Sequence, residues 1–415
     1  MRRPGAVIAL ALVLAAALTG CGGRSAGQQQ TIRGTTLTIY SSVPLHGASR
    51  MNAQALVNGE QLALQEAHGH VGRYRIALRS LDDSTVQRQA WDPGKTTENA
   101  RTAIIDPSTV LYIGELNSGA SAVSIPLLNR VGIPQISPTS TAVGLTSADA
   151  GFVPGEPLKY YPTGIRTFAR IVPNDAVQAR VLVKLQKAAG CRRPYVLDDG
   201  EVDGEDLADS YRLVARSAGL HVLGGQAFLR RATDYTALAR SVAQTGADCV
   251  LISALTESGA ALVTRQVAAA MPDAQLFGST GVAESTFVDP AQGGIPVSLD
   301  PRILVTSLTL APTVDPPSAR TFYAAYERRY GFPQPYAIFG YEAMSLALNA
   351  IARASDGGRE VVRRPKVREA LFATRDRPSV LGTYSITPMG DTTLRRYGVY
   401  RVVGGQLVYW KSVDG

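Results

Sequence analysis

Cysteine, histidine, tryptophan and lysine are all scarce in this chain of 415 residues: three Cys, four His, two Trp and six Lys against 36 Arg. Three cysteines cannot build a disulfide-framed miniature, and without a Cys-x-x-Cys or His-Glu-x-x-His spacing no metal centre is expected. His68 and His70 bracket a glycine and read as the C-terminal turn of a helix rather than as ligands. Beyond residue 18 no apolar run approaches the ~20 residues that span a bilayer, which excludes a polytopic channel or transporter. No Gly-x-Ser-x-Gly elbow joins a strand to a helix, and there is neither a phosphate loop nor a dinucleotide fingerprint. Catalysis therefore has no motif to stand on, and neither an enzyme nor a cofactor is expected. Dense basic runs are missing too: Arg192-Arg193, Arg230-Arg231 and Arg363-Arg364 are scattered pairs, so the formal +8 describes an Arg-rich solvated surface and not a nucleic-acid arm.

What is present begins at the amino terminus. Arg2 and Arg3 precede an apolar run from Ala6 to Leu18, the plan of an export signal (residues 1–20). Leu18-Thr19-Gly20-Cys21 resembles the bacterial lipobox, in which the cysteine is acylated and becomes the first mature residue; an ordinary secretory signal is the alternative. Several acyl chains anchor stably where one binds marginally. Residues 21–30, rich in Gly and Gln, then form a polar tether. Loss of Arg2 and Arg3 with the signal lowers the charge from +8 to +6.

The remainder is long enough for two cores, since a single core stops growing at roughly 250 residues. Strands are expected at Thr36–Ser41, Arg75–Ser80, Val110–Ile113 and Pro134–Ser137, alternating with helices at Asn52–His68, Thr96–Ile105 and Ala120–Arg130. After a Gly/Pro-rich interval the alternation restarts with strands at Pro194–Leu197, His221–Phe228, Asp248–Ser253 and Gln275–Gly278 and helices at Gly204–Ala218, Tyr235–Thr245 and Ala260–Met271. Two α/β units with doubly wound parallel sheets follow, and such sheets bind ligands beyond the carboxyl ends of their strands.

Five segments carry a family likeness: Tyr112-Ile113-Gly114-Glu115-Leu116-Asn117-Ser118-Gly119; Gly132 to Thr141; Thr233-Asp234-Tyr235-Thr236-Ala237-Leu238; Tyr326 to Ala347; and Thr387-Pro388-Met389-Gly390-Asp391. In this order and spacing they resemble the branched-chain amino acid type of periplasmic solute-binding protein, the receptor of ATP-driven (ABC) importers. The resemblance implies a type I periplasmic-binding-protein fold, two lobes joined by three hinge crossovers, with lobe 1 at 31–172 and 312–380 and lobe 2 at 173–311 and 381–415. It also implies an ABC permease and ATPase as partners, a small amino acid-like ligand, a lipid-anchored extracytoplasmic location and a monomer.

Candidate ligand contacts follow the strand ends. Ser118, with Asn117 before it, stands at the start of a helix whose positive end suits a carboxylate, and Ser140 and Thr141 occupy the matching place after the next strand. Ser118 and Thr141 also read as plain helix caps, a role compatible with binding. In the family a Glu pairs with the ligand ammonium where this sequence has Thr280, and an aromatic is replaced near Asp203. Asp203 then either carries the ammonium or caps a helix with Asp206. Thr256, after the strand ending at Ser253, completes the set. Asp199, Glu201, Asp203 and Gly204 match the start of a calcium loop, but position 12 is Ser210 and not the closing Glu. Two insertions, Pro44–Arg50 with His46 and Arg50 directed to the cleft, and Ala150–Tyr161 over its mouth, are specificity elements or surface ornaments. Cys191 and Cys249 stand at the starting ends of neighbouring strands in a 2-1-3 order, either bridged or as two buried thiols. A sensor using the same closing lobes, or less plausibly a secreted hydrolase, is the alternative to a transport receptor.

Overall fold

The computed structural model describes residues 30–148 and 153–415; the expected signal, Cys21 and nearly all of the tether lie outside them. Runs of β-branched and aliphatic residues bounded by glycine and proline form two large sheets, beside a two-stranded one of Ser84–Thr85 and Ala90–Trp91. The first has the order His70–Val71, Tyr74–Asp82, Thr36–Val43, Thr109–Ile113, Gln135–Ser137, Phe168–Arg170. The second runs Gly224–Ala227, Pro194–Asp198, Cys249–Ser253, Gln275–Gly278, Ile303–Ser307, Arg396–Val403, Gln406–Asp414. Their central strands pair in parallel. Thr109–Ile113 and Cys249–Ser253 are buried at every position, as strands covered on both faces must be.

The sheets are mixed rather than purely parallel. His70–Val71 turns back on Tyr74–Asp82, and the last two strands add antiparallel to the second sheet. Gly404 and Gly405, both at positive φ (61° and 74°), make the two-residue turn between those strands, a conformation that side chains with a Cβ resist. The expected strand His221–Phe228 shortens to Gly224–Ala227, where Gly224 and Gly225 leave a mostly exposed edge. Among the elements not foreseen are the strands Phe168–Arg170 and Ile303–Ser307 and the helices Asp175–Ala188 and Arg364–Phe372. The strands are only three and five residues long, too short for an alternation to register.

The chain leaves the first sheet after Arg170 and enters the helix Asp175–Ala188, whose N-cap is Asn174. Tyr397 of the second sheet donates its hydroxyl hydrogen to the Pro173 carbonyl at 2.9 Å and holds this crossing. After Ile303–Ser307 the chain returns, and the helices Pro317–Tyr330 and Ala337–Ala354 pack on Arg50–Glu66 of the first unit. The final two strands go back to the second sheet. Cys191 and Cys249 are joined in a disulfide with Cα atoms 6.0 Å apart, at the strand ends remote from the cleft. Among the described residues no helix is long and apolar enough to cross a membrane.

Backbone contact fixes the join between the distant parts of the first unit. A Cβ built on Gly340 would stand 1.9 Å from the Leu56 carbonyl oxygen, and one on Gly59 2.0 Å from that of Ala337. Two glycines thus let the helices Arg50–Glu66 and Ala337–Ala354 touch main chain to main chain. Gly340→Ala is expected to cost about 1–3 kcal/mol through forced separation, read as a lower urea midpoint; a change below ~0.5 kcal/mol, the ordinary range of neutral surface substitutions, would show that the contact is not tight.

Candidate functional site

The carboxyl ends of both sheets face each other across a small cavity. The first unit contributes Ser49, Leu116, Asn117, Thr139 and Thr141, and the second Asp203, Leu255, Ser279, Thr280 and Glu284. Asp175 and Gln178 enter from the first crossing and Tyr336 from the returning segment. Of the residues singled out in sequence, Asn117, Thr141, Asp203 and Thr280 line this cavity; Ser118, Ser140 and Thr256 stand just behind it.

The reasons are hydrogen bonds already made. Ser118 opens the helix Ser118–Arg130 after the N-cap Asn117, but its hydroxyl oxygen accepts from the backbone N–H groups of Thr141 and Ala142, both at 3.1 Å. It therefore ties the two loops together. Ser140 spends its hydroxyl on Ser121 and on the Glu115 carbonyl, and its own carbonyl accepts from Arg170 at 3.0 Å. Thr256 donates to the Gly281 carbonyl at 3.1 Å. Thr280 is also engaged: with the Gln178 amide turned so that its oxygen faces Thr280 and Thr306, it accepts from the Thr280 N–H (2.9 Å) and hydroxyl (3.0 Å), and its nitrogen donates to Asp175 at 3.1 Å.

The lobes meet through acids. The Ser118 N–H lies 3.2 Å from both carboxylate oxygens of Asp203, which reaches over from the helix Val202–Ser217. Asp203 thus sits on the helix N-terminus that sequence reasoning reserved for a ligand carboxylate. Three residues on, Asp206 accepts from Val143 N–H (2.8 Å) and Gly144 N–H (3.1 Å) of the opposite lobe. Ser49 donates to Glu284 at 2.8 Å across the cleft, and Trp91, Ala120 and Leu255 close an apolar contact beside it. The lobes are shut on each other.

Burial pushes these carboxyls up. Asp203 rises to about 6, desolvation outweighing its hydrogen bonds to Ser118. Asp206 rises to about 6 for the same reason, despite the Val143 and Gly144 N–H groups. Glu284 rises to about 7, with Ser49, Thr256 and Thr286 pulling the other way. Asp175 is driven well above its usual range by burial and by Asp206 and Asp203.

Sequence reasoning missed Ser49, Asp175, Gln178, Glu284 and Tyr336. Pro173-Asn174-Asp175 is a helix-start signal at an expected crossing and would have given Asp175 and, one turn on, Gln178. Glu284 lies four residues past Thr280, so an acid is present in that loop but displaced along it. Other features fall away from the cleft. His46 bonds to Asp82 at 2.7 Å, and Arg50, exposed at the start of its helix, does not line the cavity. Of the second insertion, residues 150–152 lie outside the described residues; Tyr160 and Tyr161 pack with Ile125, Leu145 and Phe168 and do not line the cavity. The calcium-like acids diverge, Asp199 to the Leu255 N–H and Glu201 to Arg230. Among the described residues the only grouping close enough to hold a metal ion is Cys191, Asp248 and Cys249, whose sulfurs are the disulfide.

A family model described as periplasmic binding protein matches residues 36–406. The solved leucine binding protein LivK of Thermotoga maritima superposes with a TM-score of 0.74 at 21% identity, over 91% of this chain and 99% of that one. The branched-chain amino acid transporter substrate binding protein LivJ of Streptococcus pneumoniae, in complex with isoleucine, gives 0.72 at 18% identity over 92% and 100%. A solute binding protein of an ABC transporter from R. palustris, in complex with benzoate, gives 0.70 at 19% over 92% and 98%. No curated protein matches the sequence.

The raised carboxyls make the stability of the closed form sensitive to pH. In an unfolded chain they titrate near 4, so between about pH 4 and 7 the closed form holds more protons than the unfolded one. Its stability is complete below that window and falls as pH climbs through the folded values of about 6 and 7. Thermal melts of the ligand-free protein are expected to decline from about pH 5 to about pH 8, with the decline smaller in Glu284→Gln; a melt that rises over this window overturns the burial argument.

Proposed function

The chain belongs to the periplasmic binding protein family, and from that premise we propose that it is the extracytoplasmic solute receptor of an ABC importer, capturing a small polar or amino acid-like solute between two closing lobes. The observation that carries the reading is the cavity itself: both sheets and both connecting regions contribute polar side chains to it, and hydrogen bonds cross it from lobe to lobe. A ligand that touches both lobes favours the closed form in proportion to those contacts. The relatives named for leucine, isoleucine and benzoate span chemically different solutes, so the likeness supports the receptor role more than any one ligand.

Anchoring belongs to the same proposal. The lipobox-like Leu18-Thr19-Gly20-Cys21 and the polar stretch after it place the binding lobes on a tether above the membrane, where a permease and its ATPase would receive the closed form. Lobe limits at 31–172 with 312–380 and at 173–311 with 381–415 are part of the same reading, and a monomer is proposed because one chain supplies the described cavity lining.

Two experiments test these readings. A melting screen against amino acids, amides, amines, small carboxylates and sugars is expected to find a solute that stabilises the protein, by about 4 kcal/mol when saturated at ~1,000 times its dissociation constant; a flat result across all classes rejects a small-solute receptor. Cys21→Ala is expected to move the protein from the membrane to the soluble fraction, and unchanged membrane recovery removes the anchor.

A further inference from the structure

Resting on the reading of the cleft as the solute site, we propose that it takes an organic cation with N–H donors and no free carboxylate, an amine or guanidinium compound rather than a zwitterionic amino acid. Three carboxylates, Asp175, Asp203 and Glu284, line the cavity, and among the described residues no Lys, Arg or His does. Nearby cations are committed elsewhere. Arg170 is fully buried and bound to Asp391 at 2.8 Å, to Thr146 and to the Ser140 carbonyl, while Arg88 and Arg230 both face Glu201.

The place a ligand carboxylate would need is filled. Asp203 caps the N-terminus at Ser118, so an incoming carboxylate would have to displace one buried anion while lying beside others. The wall also holds acceptors with no donor of their own. Asp175 Oδ2, Glu284 Oε2 and Asn117 Oδ1 are buried acceptors without a hydrogen-bond partner, on side chains 1%, 9% and 3% exposed. Leaving such atoms unpaired is costly, and a charged donor repays more than a neutral one. Tyr336 adds an aromatic ring to the same wall, a surface that suits a cation. More acids stand behind them, Asp199 by Asp203, Glu257 by Glu284 and Asp206 by Asp175, and an incoming cation would favour their ionised forms. Among the described residues these three carboxylates do not form one close group, so a molecule with several donors suits them.

Matched ligands isolate the carboxylate. Calorimetric titration of the full-length protein at about pH 7.5 with leucine, leucinamide, 3-methylbutylamine, agmatine and benzoate is expected to give the amide or amines at least ~10-fold lower Kd than leucine, with benzoate weakest. Amine binding is expected to tighten from about pH 5.5 to about pH 8, as the acids ionise, and to weaken ~10-fold or more in Glu284→Gln. Tighter binding of leucine or benzoate, strengthened by Glu284→Gln, overturns the cation while leaving the cleft as the site. Binding of either class that is indifferent to both Glu284→Gln and Asp175→Asn removes the cleft itself, and failure of every amine to bind overturns the proposal outright.

Discussion

A carboxylate taken out of water and set on the amino end of a helix from the other lobe is the contact on which the closed form depends. Asp203 on Ser118 and Asp206 on Val143 and Gly144 lie on successive turns of one helix, so a single rigid element grips two loops of the facing sheet. Each bond gains from the partial positive charge of unpaired backbone N–H groups, and each acid loses its hydration to make it. The balance is close by construction, because burial raises all of these carboxyls. A receptor must close on its solute and let it go, and a grip of this kind supplies closure without permanence.

Behind the grip stands a layer that does not touch the cavity. Ser118 links its own helix to the loop at Thr141, Arg170 joins the Ser140 carbonyl to Asp391, and Ser140 reaches the Glu115 carbonyl. Several of the segments that carry the family likeness therefore do structural work. Thr387 to Asp391 provides the counterion of a buried arginine, and Asp234 accepts from the Thr236 N–H and hydroxyl at the head of the helix Thr236–Gln244. Such residues fix the strand ends, while the ligand-facing positions beside them are free to differ.

That division explains what was legible in the sequence. Long alternations gave the central strands and most helices within a few residues, because burial on one or two faces writes a period into the chain. The family model over 36–406 bears out the fold that the five segments implied. Asn117, Thr141, Asp203 and Thr280 were within reach because strand ends are where α/β sheets bind. Glu284 and Ser49 were not, since a short loop writes no period and its residues meet only when the lobes do, whereas Asp175 stood at a legible helix start. The direction of Ser118 was equally hidden: a hydroxyl at a helix start is a cap or a contact by sequence, and only the neighbouring loop decides between them.

The close approach of Gly59 and Gly340 sets an order on how the molecule comes into being. Those helices are 270 residues apart at their nearest ends, yet they share one backbone contact. A chain emerging amino end first carries its first sheet for most of its length without two of the helices that cover it, and completes that unit only after five strands of the second sheet have been laid down. Until then a large apolar face waits for a partner. The same arrangement that makes the finished protein two-lobed keeps the growing chain unfinished, and therefore threadable, almost to its end.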